Sequence, residues 1–369
     1  MRVGIIQEGD FTGTTMQARY REMIVEVTLA DKLGFSAWGT SEQHFSPPSF
    51  SVSAPEVLYA AVAENTSRIT LRNMAAVLVQ YNHPVMVAER VATLDIISGG
   101  RAELCTARSN NIKTLTAFGV PIATTQAQWA EGLEIVKRAF ADEELEYDGE
   151  FWKIGKCDVT PKPVQKPYPP LSVTATSAKT HGLAGSKGIG VISFDNYLGY
   201  DYVDESVALY AKGLASRPLD DLGNNYFGYY VPSAFCAETR EEAVEVAQHQ
   251  TLKYFRAILE LYKGMASNPS YEYMKNIEVL TEHQDDMEFL MRHTPAVMVG
   301  TPDDFIAEFR DLDARGVDEV LLRIDGFGHE NHMRTLQLIG EHVIPHVGGD
   351  TGKKVREGVL AEQRRLLTA

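Results

Sequence analysis

The chain has 369 residues, 44% of them hydrophobic, enough for two or three domains or for one α/β barrel. A formal net charge of −15 argues against a nucleic acid or an anionic membrane as partner, since both require a basic face. Cys105, Cys157 and Cys236 lie far apart and are odd in number, so neither a disulfide framework nor a metal-ligand spacing emerges, and no apolar run reaches membrane-spanning length.

The opening MRVGIIQEGD runs directly into a strand, Arg2 to Gln7, without a signal-peptide pattern, which sets the expectation of a cytoplasmic protein. Residues 16–33 read as an amphipathic helix ended by Gly34, and Ser36 to Ser41 as a second strand that feeds Glu42-Gln43-His44-Phe45. Ala54 to Asn65 is helical and Ile69 to Val79 a third strand. Pro84 then suits the first turn of a helix whose apolar face carries Val87, Val91, Leu94 and Ile97, and Ser98-Gly99-Gly100 stops it. Ala102 to Ala107 follows as a fourth strand. The result is a βαβ unit with parallel strands, and it delivers Arg108 to the carboxyl end, where α/β folds hold ligands.

A helix across 126–141 and a proline-rich excursion from Asp148 to Pro170 lead to the strand Leu171 to Thr176. Then come a short helix from Ala178 to Lys187, a strand from Gly188 to Ser193, a helix near 201–216 and the strand Tyr230 to Cys236. Residues 240–292 read as helical, with no strand until Glu319 to Ile324. The helix from Pro302 to Arg315 has Thr301 as its cap and Gly316 as its stop. Residues 329–343 close the alternation, and Lys354 to Leu367 is a charged terminal helix. Eight strands, most followed by a helix, give a (β/α)₈ TIM barrel over residues 1–347, with an insertion at 265–296 before the last repeat and a helical tail at 348–369.

Several ordered motifs carry a resemblance. Trp38 with Glu42-Gln43-His44-Phe45, His83-Pro84 with Ala88-Glu89, Leu94-Asp95 and Gly100-Arg101, the run Pro161 to Pro167, and Gly340 to Pro345 are similar to those of the bacterial luciferase-like flavin-dependent monooxygenases. The resemblance implies a barrel using reduced FMN and oxygen on a small organic substrate, a separate flavin reductase, and a homodimer. It carries over Arg108, Ser177 and Thr180 as the phosphate site. Physics agrees locally: Ser177 caps the helix from Ala178, so free backbone N–H groups face an anion there. The competing reading pairs Arg108 with a carboxylate and leaves Ser177 as a cap only.

The resemblance also places Ala75 and Ala76 beside the flavin ring, with a cis bond between them or a bulge. His44, Gln43 and His83 are the catalytic candidates, His44 to orient oxygen or substrate. In luciferases proper a catalytic histidine stands where this chain has Gln43, and a reactive cysteine where it has Ala107, so light emission is not expected. Cys105 reads as a small core residue, and Arg323 either reaches substrate or sits in a rim salt bridge. Trp38, Phe45 and Phe50 are candidates for an apolar wall. The 262–296 segment, with Gly264 and Asn268-Pro269, is the natural cover, or else packs firmly. Three rival readings stand beside this one: a deazaflavin-dependent oxidoreductase, a non-catalytic flavin-binding partner subunit, and a metal-dependent hydrolase. The last is disfavoured, because the first strand lacks His-x-His and Pro345 disrupts the His342/His346 pair.

Overall fold

A computed structural model describes residues 1–109, 111–194, 197–218, 221 and 223–368. Its strands, in chain order, are β1 (Arg2–Ile6), β2 (Ala37–Thr40), β3 (Thr70–Val77), β4 (Ala102–Ala107), β5 (Leu145–Asp148) and β6 (Lys153–Cys157). There follow β7 (Leu171–Ala175), β8 (Gly190–Ser193), β9 (Phe227–Val231), β10 (Ser233–Cys236), β11 (Val297–Gly300) and β12 (Glu319–Arg323). Eight of them close a barrel in the order β1-β12-β9-β8-β7-β4-β3-β2, each parallel to its neighbours. The expected (β/α)₈ architecture is present.

Local chemistry sets the helix ends. The Thr15 side chain accepts from the Ala18 N–H at the start of helix Met16–Leu33, and Gly34 ends it at φ 89°. Pro84 opens helix Pro84–Ser98 and Gly99 stops it at φ 68°. Thr301 and Asp304 form a reciprocal capping box before helix Pro302–Arg315.

Three expectations change. The seventh strand is not one run from Tyr230 to Cys236. Pro232 has no N–H for the ladder, so β9 stays in the barrel while β10 leaves it and pairs with β11. β11 itself escaped the sequence reading, because a short apolar run such as Val297–Gly300 cannot be told from buried helix by periodicity. The excursion after residue 141 also contains an antiparallel hairpin, β5–β6.

The barrel interior holds Ile6, Ala37, Met74, Cys105, Ile192 and Leu321. Burial pushes the Cys105 thiol up to about 12. Towards the amino-terminal strand ends, Arg72 donates through Nε to Glu103 Oε2 and through Nη1 to Glu319 Oε2, each at 2.6 Å. Burial alone would raise the Glu319 pKa, but Arg72 and Arg2 outweigh it and hold the carboxyl down to about 2. The main apolar core lies between barrel and helices.

Helix Arg240–Ala266, the 3₁₀ stretch Pro269–His283 and helix Met287–His293 form a second cluster with Phe255, Leu259, Tyr271, Met274 and Leu290 buried in it. The terminal helix Thr351–Thr368 docks on its own barrel. Its fully buried Arg356 donates to Asp318 Oδ2 at 2.6 Å and to the Gly316 carbonyl at 2.5 Å.

Candidate active site

The carboxyl ends of the strands surround a cavity of about 740 Å³, where barrels of this kind place their chemistry. It is lined from the ends of β1, β2, β3, β4, β7, β8 and β9 and from the inserted helical segment. Ser109 and Tyr197, both in its wall, have φ of 69° and 61°, a left-handed conformation uncommon outside glycine and often found at functional sites.

One pole of the cavity suits an anion. Arg108 follows β4, and Ser177 caps helix Ala178–Ser186 directly after β7; the two strands are neighbours. The Ser177 hydroxyl lies 2.8 Å from the Thr180 hydroxyl and accepts from the Thr180 N–H at 3.3 Å. Sequence reasoning missed what supports this cap. His181 is fully buried, with Nδ1 2.9 Å from the Ser177 carbonyl oxygen and Nε2 2.9 Å from Ser193 Oγ. Burial lowers its pKa to about 4, so the ring is neutral near pH 7. A carbonyl only accepts, so Nδ1 carries the proton and Nε2 accepts from Ser193. The Arg108 guanidinium carbon lies 4.2 Å from the centre of the Tyr271 ring, and the Tyr271 hydroxyl donates to the Ser109 carbonyl at 2.7 Å. The Tyr273 hydroxyl accepts from Thr176 Oγ1 at 2.8 Å.

The remaining predicted residues divide. Gln43 and Ala75 line the cavity; Ala76, His44 and His83 are not in its lining among the described residues. His44 turns outward. Its Nε2 lies 3.1 Å from Glu42 Oε1, and its ring meets Phe118 edge-on at 5.1 Å. His83 is occupied as a helix cap, accepting from the Val85 N–H at 3.3 Å, and burial lowers its pKa against the pull of Glu89. The cis bond lies between Met74 and Ala75, one position earlier than expected, and the register with β4 shifts between Asn73 and Ala76. Ala76 therefore packs in the outer core while Ala75 faces the interior. Phe50 lines the cavity, whereas Trp38 is core and Phe45 is exposed.

The opposite pole is acidic. In the closed order, β1 stands across the barrel from β7, and β12 across from β4. Glu8 follows β1, lines the cavity and is 7% exposed. Its Oε2 accepts from Arg323 Nε at 2.8 Å and its Oε1 from Ser41 Oγ at 3.3 Å. Asp325 accepts from the Glu8 backbone N–H. Arg323 thus sits in a rim salt bridge, 4% exposed, with Asp10 at 3.8 Å and its guanidinium 4.2 Å over the Tyr254 ring. Burial pushes the Glu8 carboxyl up to about 7; Arg323 opposes the shift and Asp325 adds to it. The available signal was an acid at the end of an apolar strand, facing the charged Arg323 and Asp325 at the end of the strand that closes the barrel.

Farther out, Glu26 accepts both Arg19 guanidinium nitrogens at 2.8 Å and has His329 and His332 at 2.8 and 3.1 Å. Burial would raise this carboxyl, but His332 and Arg19 hold it well below the usual range. The arrangement reads as a paired structural network. Among the described residues, no helix is long and apolar enough to cross a membrane.

Comparison with known proteins bears on the fold and the family. The oxygenase component of flavin-dependent trigonelline monooxygenase from Acinetobacter baylyi is 24% identical over 341 residues, covering 90% of this chain and 91% of that one. An uncharacterised protein of Sinorhizobium fredii is 29% identical over 188 residues, and there the match spans about half of each protein, 51% of this chain and 54% of the relative. Among solved structures, the oxygenating constituent of 3,6-diketocamphane monooxygenase from Pseudomonas putida, in complex with FMN, superposes with a TM-score of 0.74 at 21% identity, covering 94% of this chain and 99% of that one. The coenzyme F420 dependent tetrahydromethanopterin reductase of Methanopyrus kandleri does so at 0.70 and 20%, covering 94% and 99%. These two likenesses concern the fold. The model of the luciferase-like monooxygenases matches residues 1–319, and the chain belongs to that family of oxidoreductases.

Proposed function

We propose that the chain is an FMN-dependent monooxygenase that receives reduced flavin from a separate reductase and inserts one oxygen atom of O₂ into a small organic substrate. The observation that carries this reading is the anion pole: Arg108, the Ser177–Thr180 hydroxyl pair and the start of helix Ala178–Ser186 line the cavity from the ends of two neighbouring strands, β4 and β7. The donor set fits a phosphate monoester, since a guanidinium, two hydroxyls and the N–H groups of a helix start are donor types that suit phosphate oxygens. A volume of about 740 Å³ lies within the range of roughly 300–1,000 Å³ usual for such sites. When bound, reduced FMN supplies the activation of oxygen.

The chain's own residues hold and shield. Arg108, Ser177 and Thr180 would grip the phosphate, and neutral His181 keeps Ser177 in place. Met74 and Ala75 offer an apolar wall for the ring, and Gln43 an uncharged amide beside it. Tyr271 and Tyr273 hold the inserted segment over the mouth, which restricts water. The relative from Acinetobacter baylyi is named an oxygenase component, which supports a separate reductase here. Val57, Met86, Ile96 and Ile97 are exposed on the early helices Pro55–Asn65 and Pro84–Ser98, which supports a homodimer.

Anaerobic titration with reduced FMN and, in parallel, with reduced coenzyme F420 tests the reading. Saturable binding of reduced FMN, followed by substrate-dependent oxygen uptake with a flavin reductase present, is the expected outcome. Preference for the deazaflavin, with hydride transfer and no oxygen uptake, would replace it with the dehydrogenase reading.

A further inference from the structure

The cavity has a second chemical end that phosphate binding does not use. Glu8 lines it opposite the anion pole, and around it stand four aromatic rings that also line the cavity: Phe50, Phe194, Tyr230 and Tyr254. Phe194 and Tyr230 have ring centres 4.4 Å apart, and the Tyr230 and Tyr254 hydroxyls are 3.5 Å from each other. The groups facing Glu8 come from four further elements. They are Arg323 and Asp325 at the end of β12, Ser41 after β2, Tyr230 on β9, and Tyr254 on helix Arg240–Ala266; Asp10 lies beyond Arg323.

Each Glu8 carboxylate oxygen accepts one protein donor, Arg323 on one and Ser41 on the other, and each has capacity for a further donor. Arg323 is already matched by Glu8 and Asp10, with Asp325 adding negative charge, so this end of the cavity does not favour a further anion while Glu8 is ionised, and a negative charge on a ligand there requires Glu8 to be protonated. Aromatic walls around a buried acceptor select a flat ring carrying an O–H group.

We propose that this pole binds a hydroxylated aromatic substrate with its hydroxyl against Glu8, and that Glu8 takes up the hydroxyl proton. This deepens the oxygenase reading given above and rests on it. In the step, the substrate O–H bond breaks and the proton forms an O–H bond with a Glu8 carboxylate oxygen. The electron pair stays on the substrate oxygen and enriches the ring that is to be oxygenated. Arg323, fixed between Glu8 and Asp10, positions the carboxyl. Burial raises both Tyr230 and Tyr254 pKa values well above the ordinary tyrosine range, so neither hydroxyl competes as the proton acceptor.

The test uses 4-nitrophenol as probe and nitrobenzene as its hydroxyl-free control, titrated calorimetrically into the full chain at about pH 8 in two buffers of different ionisation heat, which counts protons. The wild-type chain is expected to take up about one proton with 4-nitrophenol, because phenol and Glu8 then share one, and none with nitrobenzene. Glu8→Gln should bind 4-nitrophenol with no uptake, and Tyr230→Phe should keep it. No saturable 4-nitrophenol binding, equal proton counts for the two probes, or full uptake in Glu8→Gln would each overturn the proposal. If Glu8→Gln fails to fold, the wild-type comparison of the two probes decides alone. FMN titrated into the same samples separates the two readings. Flavin binding without proton uptake removes only this inference, and proton uptake without flavin binding removes the oxygenase reading beneath it.

Discussion

The Tyr271 hydroxyl donates to the Ser109 carbonyl at 2.7 Å, while the face of the same ring lies against the Arg108 guanidinium. One side chain from the inserted segment therefore secures both the backbone and the charge of the loop after β4. Tyr271→Phe keeps the ring and removes the hydroxyl. Loss of its bond to the Ser109 carbonyl and of its 3.3 Å bond with Thr125 Oγ1 should lower stability by about 1–2 kcal/mol and leave the Ser109 carbonyl underused. Protease sites within 266–290 should be cut faster, and more hydrogen peroxide should form per flavin oxidised. An unchanged cleavage rate and unchanged peroxide yield would mean that this segment is fixed by its own cluster and not by Tyr271.

At the anion pole, Arg108→Gln removes charge but retains a donor. Charge-assisted bonds contribute roughly 1.5–3 kcal/mol, so FMN affinity should fall by about ten-fold to a hundred-fold, with riboflavin affinity little changed. Comparing the two flavins by fluorescence quenching isolates the phosphate contribution. Equal losses for both would place Arg108 elsewhere than on the phosphate. Ser177→Ala should combine a smaller affinity loss with about 1 kcal/mol of helix-cap destabilisation.

His181 makes stability depend on pH in a defined window. Its folded pKa of about 4 lies below the ordinary value of 6.5, so the folded chain resists a proton that the unfolded chain accepts. Both states are neutral above about 6.5, where the contribution is fully present. As pH falls from there towards 4, the unfolded state gains the proton first and stability is lost, by about 3 kcal/mol in order of magnitude. His181→Gln should flatten that part of a denaturant-midpoint curve. A wild-type and variant pair with parallel curves between about pH 4 and 6.5 would show that His181 titrates normally.

The exposed apolar side chains of the early helices give a solution test. Val57→Glu combined with Met86→Glu introduces charge where Val57 is 74% and Met86 55% exposed, so the fold itself should be little affected. If the early helices form the homodimer proposed above, sedimentation should report a dimer for the parent chain and a monomer for the double variant. A double variant that still sediments as a dimer would move the interface elsewhere.

What could be read in advance was local. Pro84, Gly99 and Arg108 form a strand–helix–strand unit because their backbone preferences and charge act within a few residues, and the structure reproduces it. Ser177 was legible for the same reason, as a cap with its acceptor aimed at Thr180. Glu8 was not, because its setting is made by Arg323, 315 residues away, and exists only once β1 pairs with β12. His44 misled because the chain turns away from the cavity after Ser41, Glu42 and Gln43, which all line it, and Phe45 follows at φ 61°. Gln43 took the cavity face and sent the histidine towards Phe118. The Pro232 break and β11 escaped because one proline and four apolar residues do not reveal which sheet a strand will join.

Cys105 lies inside the barrel beneath the cavity, fully buried, and its thiol ionises only near 12. Peroxides attack sulfur as thiolate, and at neutral pH almost none is present at that position. On the oxygenase reading proposed above, the thiol beneath the cavity thus stays inert, and oxidative ageing should fall first on Cys157, exposed on the β6 edge.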